Sequence, residues 1–354
     1  MKHLFRTLAV AATLAAVLTA CTTDNGADRR GTNTPSDHAT SGSGADVLTV
    51  YSRDRDLAEP LFKQFERQTG ITIRARWGDP VDLAEAIIAD GDKSPADVYY
   101  GPLSDALGAL SAAGRLTRLS DQQLNRVPAQ YRSPDGTWVG TSGRAHTVFF
   151  NTDKVRADQL PDSILGFADP AWRGRISWDP TSRSLRDVVT ELRQLEGEDA
   201  TRTWLQGIQA NAPAAIQGAG PIIDVVAAGR IADVGFGSHS YLYSMQADGK
   251  ARNVAAKFYR GRQQPGGLLN IAGVGIVTGA RKQSEARAFV DFLLSPPAQQ
   301  YIATDTYEIP VVKNVTLPAG IPTADELMVP GLDEKQFERL PDADRLLTEV
   351  GAIK

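Results

Sequence analysis

The sequence is poor in the residues that build covalent or metal cross-links. It contains one cysteine, Cys21, and four histidines among 354 residues. A single thiol cannot form a disulfide within the chain, nor can it supply a cluster of thiolate metal ligands. The protein must therefore fold by burying apolar side chains, and 354 residues with 42% hydrophobic residues suffice for one large or two ordinary cores.

Two further absences restrict the class of protein. The net charge is only −4, with no basic patch or base-stacking platform, which argues against nucleic acid as a partner. The sequence also lacks a Gly-x-Ser-x-Gly elbow, a phosphate-binding glycine loop with lysine, and a His-Glu-x-x-His motif. An enzyme, for example a hydrolase, is thus the most distant alternative, and a binding protein is favoured.

The longest early apolar run, residues 8–18, is too short to span a bilayer. It follows a basic start and precedes Leu-Thr-Ala-Cys, so residues 1–20 are predicted to be a lipoprotein signal peptide, with Cys21 as the lipidated first residue. The alternatives are a simple secretory signal with an incidental cysteine, or a buried thiol. Residues 21–46 are small and polar and predict a disordered tether. These features predict an extracytoplasmic protein attached to the membrane by a lipid.

Hydrophobic patterning predicts an α/β fold. Strands at 47–51, 71–77 and 97–100 alternate with helices at 57–69, 81–89 and 104–113, which is typical of a mainly parallel sheet covered on both faces. Two more strands are predicted at 138–140 and 147–151, on either side of a polar turn at 142–145. A second α/β region begins near residue 151, and the apolar run 269–277 predicts a strand that returns to the first region.

One segment, VGFGSHSYLY at 234–243, predicts the ligand site. A buried strand ends there and is followed at once by hydroxyls, an imidazole and two phenols. Ligands of open α/β sheets contact the carboxyl ends of strands. The alternative is that Tyr241 and Tyr243 are half-buried packing residues with solvated hydroxyls.

Several segments together resemble the ferric-ion-binding branch of the ABC-transporter solute-binding proteins. They are LTVYS (48–52), SPADV (94–98), SGRA (142–145), DPAWRGRI (169–176), LEGEDA (195–200), VGFGSHSYLY (234–243) and PGGLLNIAG (265–273). The resemblance implies a two-lobed periplasmic-binding-protein fold of type II that closes on its solute. It also implies delivery of the solute to a membrane permease and its ATPase, and we expect the protein to be a monomer. We expect lobe 1 at 47–143 plus 271–310, lobe 2 at 144–270, and a helical tail at 311–354 that packs on the lobes.

The resemblance further implies Fe(III) as the ligand, because this hard cation prefers phenolate oxygen. Members commonly carry two adjacent tyrosines after an Asn-His or Asn-Asn pair, whereas this chain has Ser238, His239, Ser240 and Tyr241 there. Only the second tyrosine is present. Tyr241 is therefore the expected metal ligand, with His239 or Tyr243 as helpers, and oxygens of an exogenous chelator complete the coordination.

The remaining polar residues suit an anion. Arg144 and Ser142 are expected to hold a synergistic anion through a guanidinium fork and a hydroxyl, and Arg55 adds a second positive charge. The alternatives are an ion pair for Arg144 and a solvated charge for Arg55. If iron is not the ligand, the same site is expected to bind a small organic anion such as a phosphorylated metabolite, through Arg144, Arg55, Ser142, Ser238, Ser240 and Tyr243.

Overall fold

The computed structural model describes residues 47–53, 55–102, 106–261, 263–327 and 340–354. The predicted signal peptide, Cys21 and the tether all lie outside these residues. No helix within the described ranges is both long and apolar enough to cross a membrane.

Strands and helices alternate along most of the chain, as the patterning predicted. The strands are β1 (Val47–Ser52), β2 (Thr72–Trp77), β3 (Val98–Pro102), β4 (Leu116–Thr117), β5 (Trp138–Asn151), β6 (Ile176–Trp178), β7 (Ala214–Ala215), β8 (Val234–Ser238), β9 (Val254–Lys257), β10 (Leu269–Val277) and β11 (Ile309–Pro310). The helices are α1 (Arg55–Thr69), α2 (Pro80–Asp90), α3 (Gly108–Ala112), α4 (Asp121–Leu124), α5 (Arg183–Leu195), α6 (Glu198–Ala210), α7 (Ala219–Ala228), α8 (His239–Ala247), α9 (Gln283–Leu293), α10 (Pro296–Asp305) and α11 (Leu340–Glu349).

The sheet is mixed rather than mainly parallel. Strands β2, β1 and β3 are parallel neighbours, and so are β8, β6 and β7. Between these groups, β10 and β5 run antiparallel to each other and to their outer neighbours β3 and β8. The prediction of a parallel sheet was right for the flanking βα units. It was wrong for the centre, where two long strands join the groups and run in opposite directions.

Strand β5 corrects the predicted pair of strands. It runs unbroken for 14 residues through the stretch predicted to be a turn. Within that stretch Gly143 pairs with Ile271, and a Cβ atom at Gly143 would lie 2.7 Å from Leu269. The glycine therefore allows β10 to pack closely, and a composition typical of turns instead serves strand packing.

Buried apolar residues form separate clusters around the two parallel groups. The larger cluster packs α1 and α9 on β1 to β3, with Phe65 and Phe289 edge to face at 5.1 Å between ring centroids. A second packs α5 and α6 near β6 and β8, and includes Trp204 and Phe236. A smaller third cluster lies under α7 and α8.

Helix α11, at the end of the chain, packs against α5. Ala343, Leu346 and Leu347 are fully buried in the second cluster. Ion pairs join the same two helices, with Arg186 to Asp344 at 2.5 Å and Arg193 to Asp342 at 3.0 Å. Apolar contact and charge pairing thus both hold this helix against the one whose first turn lines the cavity described below.

We expect Gly235→Ala, on β8, to destabilise the protein by roughly 1 to 3 kcal/mol, because the core cannot accept another methyl group without moving. A Cβ atom at Gly235 would lie 2.4 Å from Ile222 and 2.8 Å from the Ser177 hydroxyl. Denaturant unfolding measures the loss. Gly220→Ala is the control, since its Cβ meets nothing within 4 Å and it lies in α7, where alanine is the better helix former. Equal stability of both variants would contradict the packing argument.

Candidate functional site

A cavity of about 290 Å³ opens at the carboxyl end of β8. The first turns of α5, α7 and α8 meet there, together with the loop after β1 and the facing parts of β5 and β10. The lining residues are Arg53, Arg144, Asp179, Ser182, Arg183, Ser184, Gly218, Ala219, Ile222, Phe236, Gly237, Ser238, Tyr241, Asn270, Ile271 and Ala272.

Three arginines from distant parts of the chain line this cavity. Arg53 follows β1, Arg144 lies in β5, and Arg183 is the first residue of α5. Burial lowers the pKa of Arg183, an effect that the nearby Asp187 carboxylate opposes and the Arg53 charge reinforces. A guanidinium group stays charged in proteins even after such a shift. The cavity is therefore electropositive and suited to an anion.

The carboxylate of Asp179, which also lines the cavity, is bonded to its own loops. Its Oδ1 accepts hydrogen bonds from the amide and hydroxyl of Thr181 at 3.0 and 2.7 Å, and its Oδ2 accepts one from the Gly218 amide at 2.8 Å. These bonds join the start of α5 to the start of α7. Asp179 thus shapes the cavity, and its oxygens are already accepting hydrogen bonds.

Helix N-termini add to the positive potential. Ser182 caps α5 by accepting a hydrogen bond from the Leu185 amide, while Gly218 and Ser238 occupy the cap positions of α7 and α8. Gly218 has a φ of 90°, which favours glycine. Backbone amides and helix dipoles at such ends attract anions.

Tyr241 is the predicted ligand that the fold brings to the cavity. It lies in the first turn of α8, and 47% of its surface is exposed, which is unusual for a large aromatic residue in this protein. Its ring lines the cavity together with the three arginines and the cap residue of α8, Ser238. The structure therefore places Tyr241 in the cavity, and its role as a metal ligand stays a prediction.

His239 and Tyr243 are not among the residues that line the cavity. His239 is fully buried, and its Nδ1 accepts a hydrogen bond from the Ala145 amide at 3.0 Å. Burial lowers the pKa of this imidazole to about 4, so the ring is neutral at pH 7. Tyr243 is half-buried and stacks on Tyr307, and burial raises the pKa of its phenol. Both residues make ring contacts with each other and with neighbours outside the cavity lining.

Only one of the two serines in the same segment contacts the cavity. Ser238 lines the cavity, whereas Ser240 is buried and outside the lining. Their hydroxyl oxygens lie 3.3 Å apart. Ser240 can therefore support Ser238 but does not itself reach a ligand in this arrangement.

Ser142 and Arg144 do hold a carboxylate, but it belongs to the protein. Arg144 Nε contacts Glu308 Oε1 at 2.9 Å, and the Ser142 hydroxyl donates to the other oxygen of the same carboxylate. Ser142 is fully buried and does not line the cavity, while Arg144 does. The alternative of an ion pair for Arg144 is thus what the structure shows, although its guanidinium also borders the ligand space.

Arg55 does not line the cavity either. It lies at the start of α1, where it is exposed and paired with Glu59 one turn on, at 3.0 Å. Arg53, two residues earlier, lines the cavity instead. Sequence reasoning missed Arg53 and Arg183. For Arg183 a signal existed, because Ser182 caps a helix directly after strand β6, at the same sheet edge as Tyr241.

Protein donors for a bare metal ion are few. Within the described residues, no group of three or more His, Cys, Asp or Glu side chains is placed to hold one. Of the cavity's lining side chains, Tyr241 offers a phenol oxygen and Asp179 a carboxylate. The other oxygen atoms of the lining side chains belong to Ser182, Ser184, Ser238 and Asn270, and all of them are neutral.

Two carboxyl groups follow Arg183 on one face of α5. Asp187 receives a hydrogen bond from the Asn270 amide, and burial raises its pKa to about 6 although Arg183, Asn270 and Arg53 oppose the shift. Glu191, one turn further, is 2% exposed, and burial raises its pKa to about 8. Glu191 is therefore largely protonated at pH 7.

We expect Glu191→Gln to remove a pH dependence of stability. The pKa of Glu191 rises from 4.5 in the unfolded chain to about 8 in the fold, so its stabilising contribution is complete below the lower value and is lost as pH rises through the higher one. The slope reaches about 1.4 kcal/mol per pH unit for one proton. Thermal unfolding from acid to mildly alkaline pH should show this decline in the wild type and less of it in the variant. Parallel profiles for the two proteins would contradict the assignment.

Comparison with known proteins identifies the family. Residues 60–329 match the family model described as "Bacterial extracellular solute-binding protein". The Fe(3+)-binding periplasmic protein of Serratia marcescens is 29% identical over 310 residues, which cover 87% of this chain and 90% of that protein.

Two solved structures share the fold. Iron-bound HitA from Pseudomonas aeruginosa has a TM-score of 0.76 and 28% identity, covering 86% of this chain and 99% of that one. The Trichodesmium protein IdiA (FutA), in complex with iron and citrate ligands, has a TM-score of 0.74, 28% identity and the same coverage. The predicted fold class, an α/β two-lobed periplasmic-binding-protein fold of type II, is confirmed. This chain belongs to the family of bacterial extracellular solute-binding proteins.

Proposed function

We propose that this protein captures ferric iron, alone or as a ferric complex, outside the cytoplasm and delivers it to a membrane permease. The observation that carries the proposal is the exposed phenol of Tyr241, at a helix N-terminus and inside the cavity. Fe(III) favours phenolate oxygen, and coordination displaces the phenol proton far below its usual pKa. The names of the Serratia and Pseudomonas relatives, which describe iron binding, support the same ligand.

The remaining parts of the proposal follow from the sequence and the family. Cys21 carries the lipid that attaches the protein to the cell membrane, and residues 21–46 form the tether. The protein acts as a monomer with an ABC permease and its ATPase, and it binds its solute without converting it. Lobe 1 comprises 47–143 plus 271–310, lobe 2 comprises 144–270, and the tail at 311–354 packs on the lobes.

A second candidate function is the capture of a metal-free organic anion, for example a phosphorylated metabolite. The three arginines of the cavity favour it, because guanidinium groups bind carboxylates and phosphates through paired hydrogen bonds. This candidate needs no contribution from Tyr241 as a ligand. The two functions therefore differ in which side chain matters most.

A binding experiment on the full-length protein separates the two. Titration with ferric citrate or ferric nitrilotriacetate should produce a visible phenolate-to-iron band and raise the unfolding temperature. A ligand at a hundred times its Kd stabilises the native state by about 2.7 kcal/mol. Metal-free citrate, phosphate and phosphorylated sugars are the controls. Stabilisation by one of these anions, with no band and no response to any ferric complex, would replace the iron proposal with the second candidate.

A further inference from the structure

We propose that a groove beside α4 and the start of α10 binds a phosphate ester, the group that phospholipid headgroups carry. In this proposal Arg126, Arg132 and Lys313 hold the phosphate oxygens, and an apolar wall covers the carbon part of the ligand. The groove measures about 510 Å³ and shares no lining residue with the cavity at the end of β8. It is therefore a second site, and it does not depend on which ligand the first cavity takes.

The first argument is the charge of the lining. Arg126, Arg132 and Lys313 all line the groove, and none of its lining residues is acidic. The protein as a whole carries a net charge of −4. Three cations around one space repel one another, and an anion between them relieves that repulsion. The groove thus concentrates positive charge on a protein that is otherwise mildly acidic.

The second argument is that internal pairs neutralise this charge only in part. Arg132 Nη1 donates to the Leu124 carbonyl oxygen and to the side-chain oxygen of Asn125, which are both uncharged. Among the residues that the structure describes, neither Arg132 nor Lys313 forms an ion pair with a carboxylate. Arg126 contacts Asp291 at 3.4 Å, but both side chains are exposed, and such pairs are weak. At least two of the three positive charges therefore remain for an anion.

The third argument is the kind of donor that the groove offers. Its wall includes Pro296, the first residue of α10, and neither Pro296 nor Pro297 has an amide hydrogen. The donors are therefore side chains, namely two guanidinium groups, one ammonium group and the amides of Asn125 and Asn314. Guanidinium forks match phosphate oxygens in both geometry and charge.

The fourth argument is the carbon surface of the groove. Val127, Pro128, Ala129, Leu294 and Val312 line it beside the cations. A bare phosphate ion gains nothing from such a wall, whereas a phosphate joined to glycerol and acyl carbon buries part of that carbon against it. A volume of about 510 Å³ is many times the roughly 30 Å³ of one water molecule, so space remains beside the phosphate. The lining therefore suits an ester better than an inorganic ion.

A membrane is the nearest source of such esters. The lipid proposed for Cys21 keeps the protein beside a phospholipid surface, where basic side chains are attracted to anionic headgroups. A free phosphate ester has the same chemistry, so the experiment compares the two sources.

Isothermal titration of the full-length protein tests the groove with four probes. They are dihexanoyl phosphatidylglycerol, kept below the concentration at which it forms micelles, dihexanoyl phosphatidylcholine, glycerol 3-phosphate and inorganic phosphate. We expect phosphatidylglycerol to bind most tightly, because it offers both an anion and carbon surface. Phosphatidylcholine should bind about 10-fold more weakly or less, because its ammonium group cancels the charge of its phosphate.

Matched variants test the contacts. Lys313→Gln should weaken binding of phosphatidylglycerol by about 10-fold, and Arg132→Gln by about 10- to 100-fold, the usual effect of losing charge-assisted hydrogen bonds. Lys313 is exposed, so the fold does not depend on it. Lys250→Gln is the control, because it removes another exposed lysine, one that pairs with Asp248 outside the groove. Affinity for ferric citrate should stay the same in all these variants, which separates this inference from the proposed function.

Arg53→Gln shows whether a probe enters the first cavity instead. Loss of binding in this variant, with none in Lys313→Gln or Arg132→Gln, would overturn the proposal, as would the absence of binding by all four probes. Inorganic phosphate that binds as tightly as phosphatidylglycerol would overturn the role given to the carbon part. Equal affinity for glycerol 3-phosphate and phosphatidylglycerol, weakened in Lys313→Gln, would support the phosphate site and assign it to a free ester rather than to a membrane.

Discussion

Tyr241→Phe should abolish the visible band of the ferric complex and weaken its binding by about 100-fold or more. Changes in groups that only support a metal ligand already cost about 10- to 100-fold in affinity, and loss of a direct ligand should cost at least as much. Tyr241 lines the cavity and is 47% exposed. Loss of its hydroxyl therefore does not disturb the packing of the core. Visible absorption and isothermal titration with ferric citrate measure the two effects.

Tyr243→Phe provides the matched control. It removes the same hydroxyl two residues later on α8, from a half-buried ring that stacks on Tyr307 outside the cavity lining. We expect the band and the affinity to be kept. If Tyr243→Phe lost the band while Tyr241→Phe kept it, the assignment of the two phenols would have to be reversed.

Glu308→Ala should destabilise the protein by about 3 to 5 kcal/mol, the usual cost of removing one partner from a buried ion pair. Glu308 is 5% exposed and receives contacts from both Arg144 and Ser142. Without it, the Arg144 guanidinium loses the partner that holds it in place at the edge of the cavity. We therefore expect an unfolding temperature lower by roughly 5 to 10 °C, together with weaker ligand binding.

Two further variants test whether the loss of stability comes from the buried ion pair of Glu308. Glu308→Gln keeps a carbonyl oxygen for Arg144 and should lose less stability than the alanine variant. Glu59→Ala removes the carboxylate of an exposed ion pair with Arg55 and should leave the unfolding temperature unchanged. An alanine variant as stable as the wild type would show that the Glu308 pair contributes nothing to the fold.

Local patterns determined most of the elements, but not the antiparallel centre of the sheet. Alternating apolar residues predicted β1, and β8 was predicted as a buried strand that ends where polar side chains begin. Helix signals placed the ends of α1 and α2 within about two residues, because the apolar stripe of each helix is visible along the chain. The resemblance, which rests on short segments, indicated the fold class. Tyr241 was predicted to be a ligand from its position after β8.

What the sequence by itself determined is therefore the periodicity of most elements, the family and the place of the Tyr241 phenol shortly after β8. Tertiary structure alone decided the electropositive cavity, since Arg53, Arg144 and Arg183 are brought together from three distant segments. It also decided that Glu308, distant in sequence from Ser142 and Arg144, would bind both of them. The physical reason is the distance along the chain over which each kind of interaction acts. Helix and strand periodicity arises between near neighbours, whereas the charge around a ligand depends on which distant side chains the folded sheet brings within a few ångströms of each other.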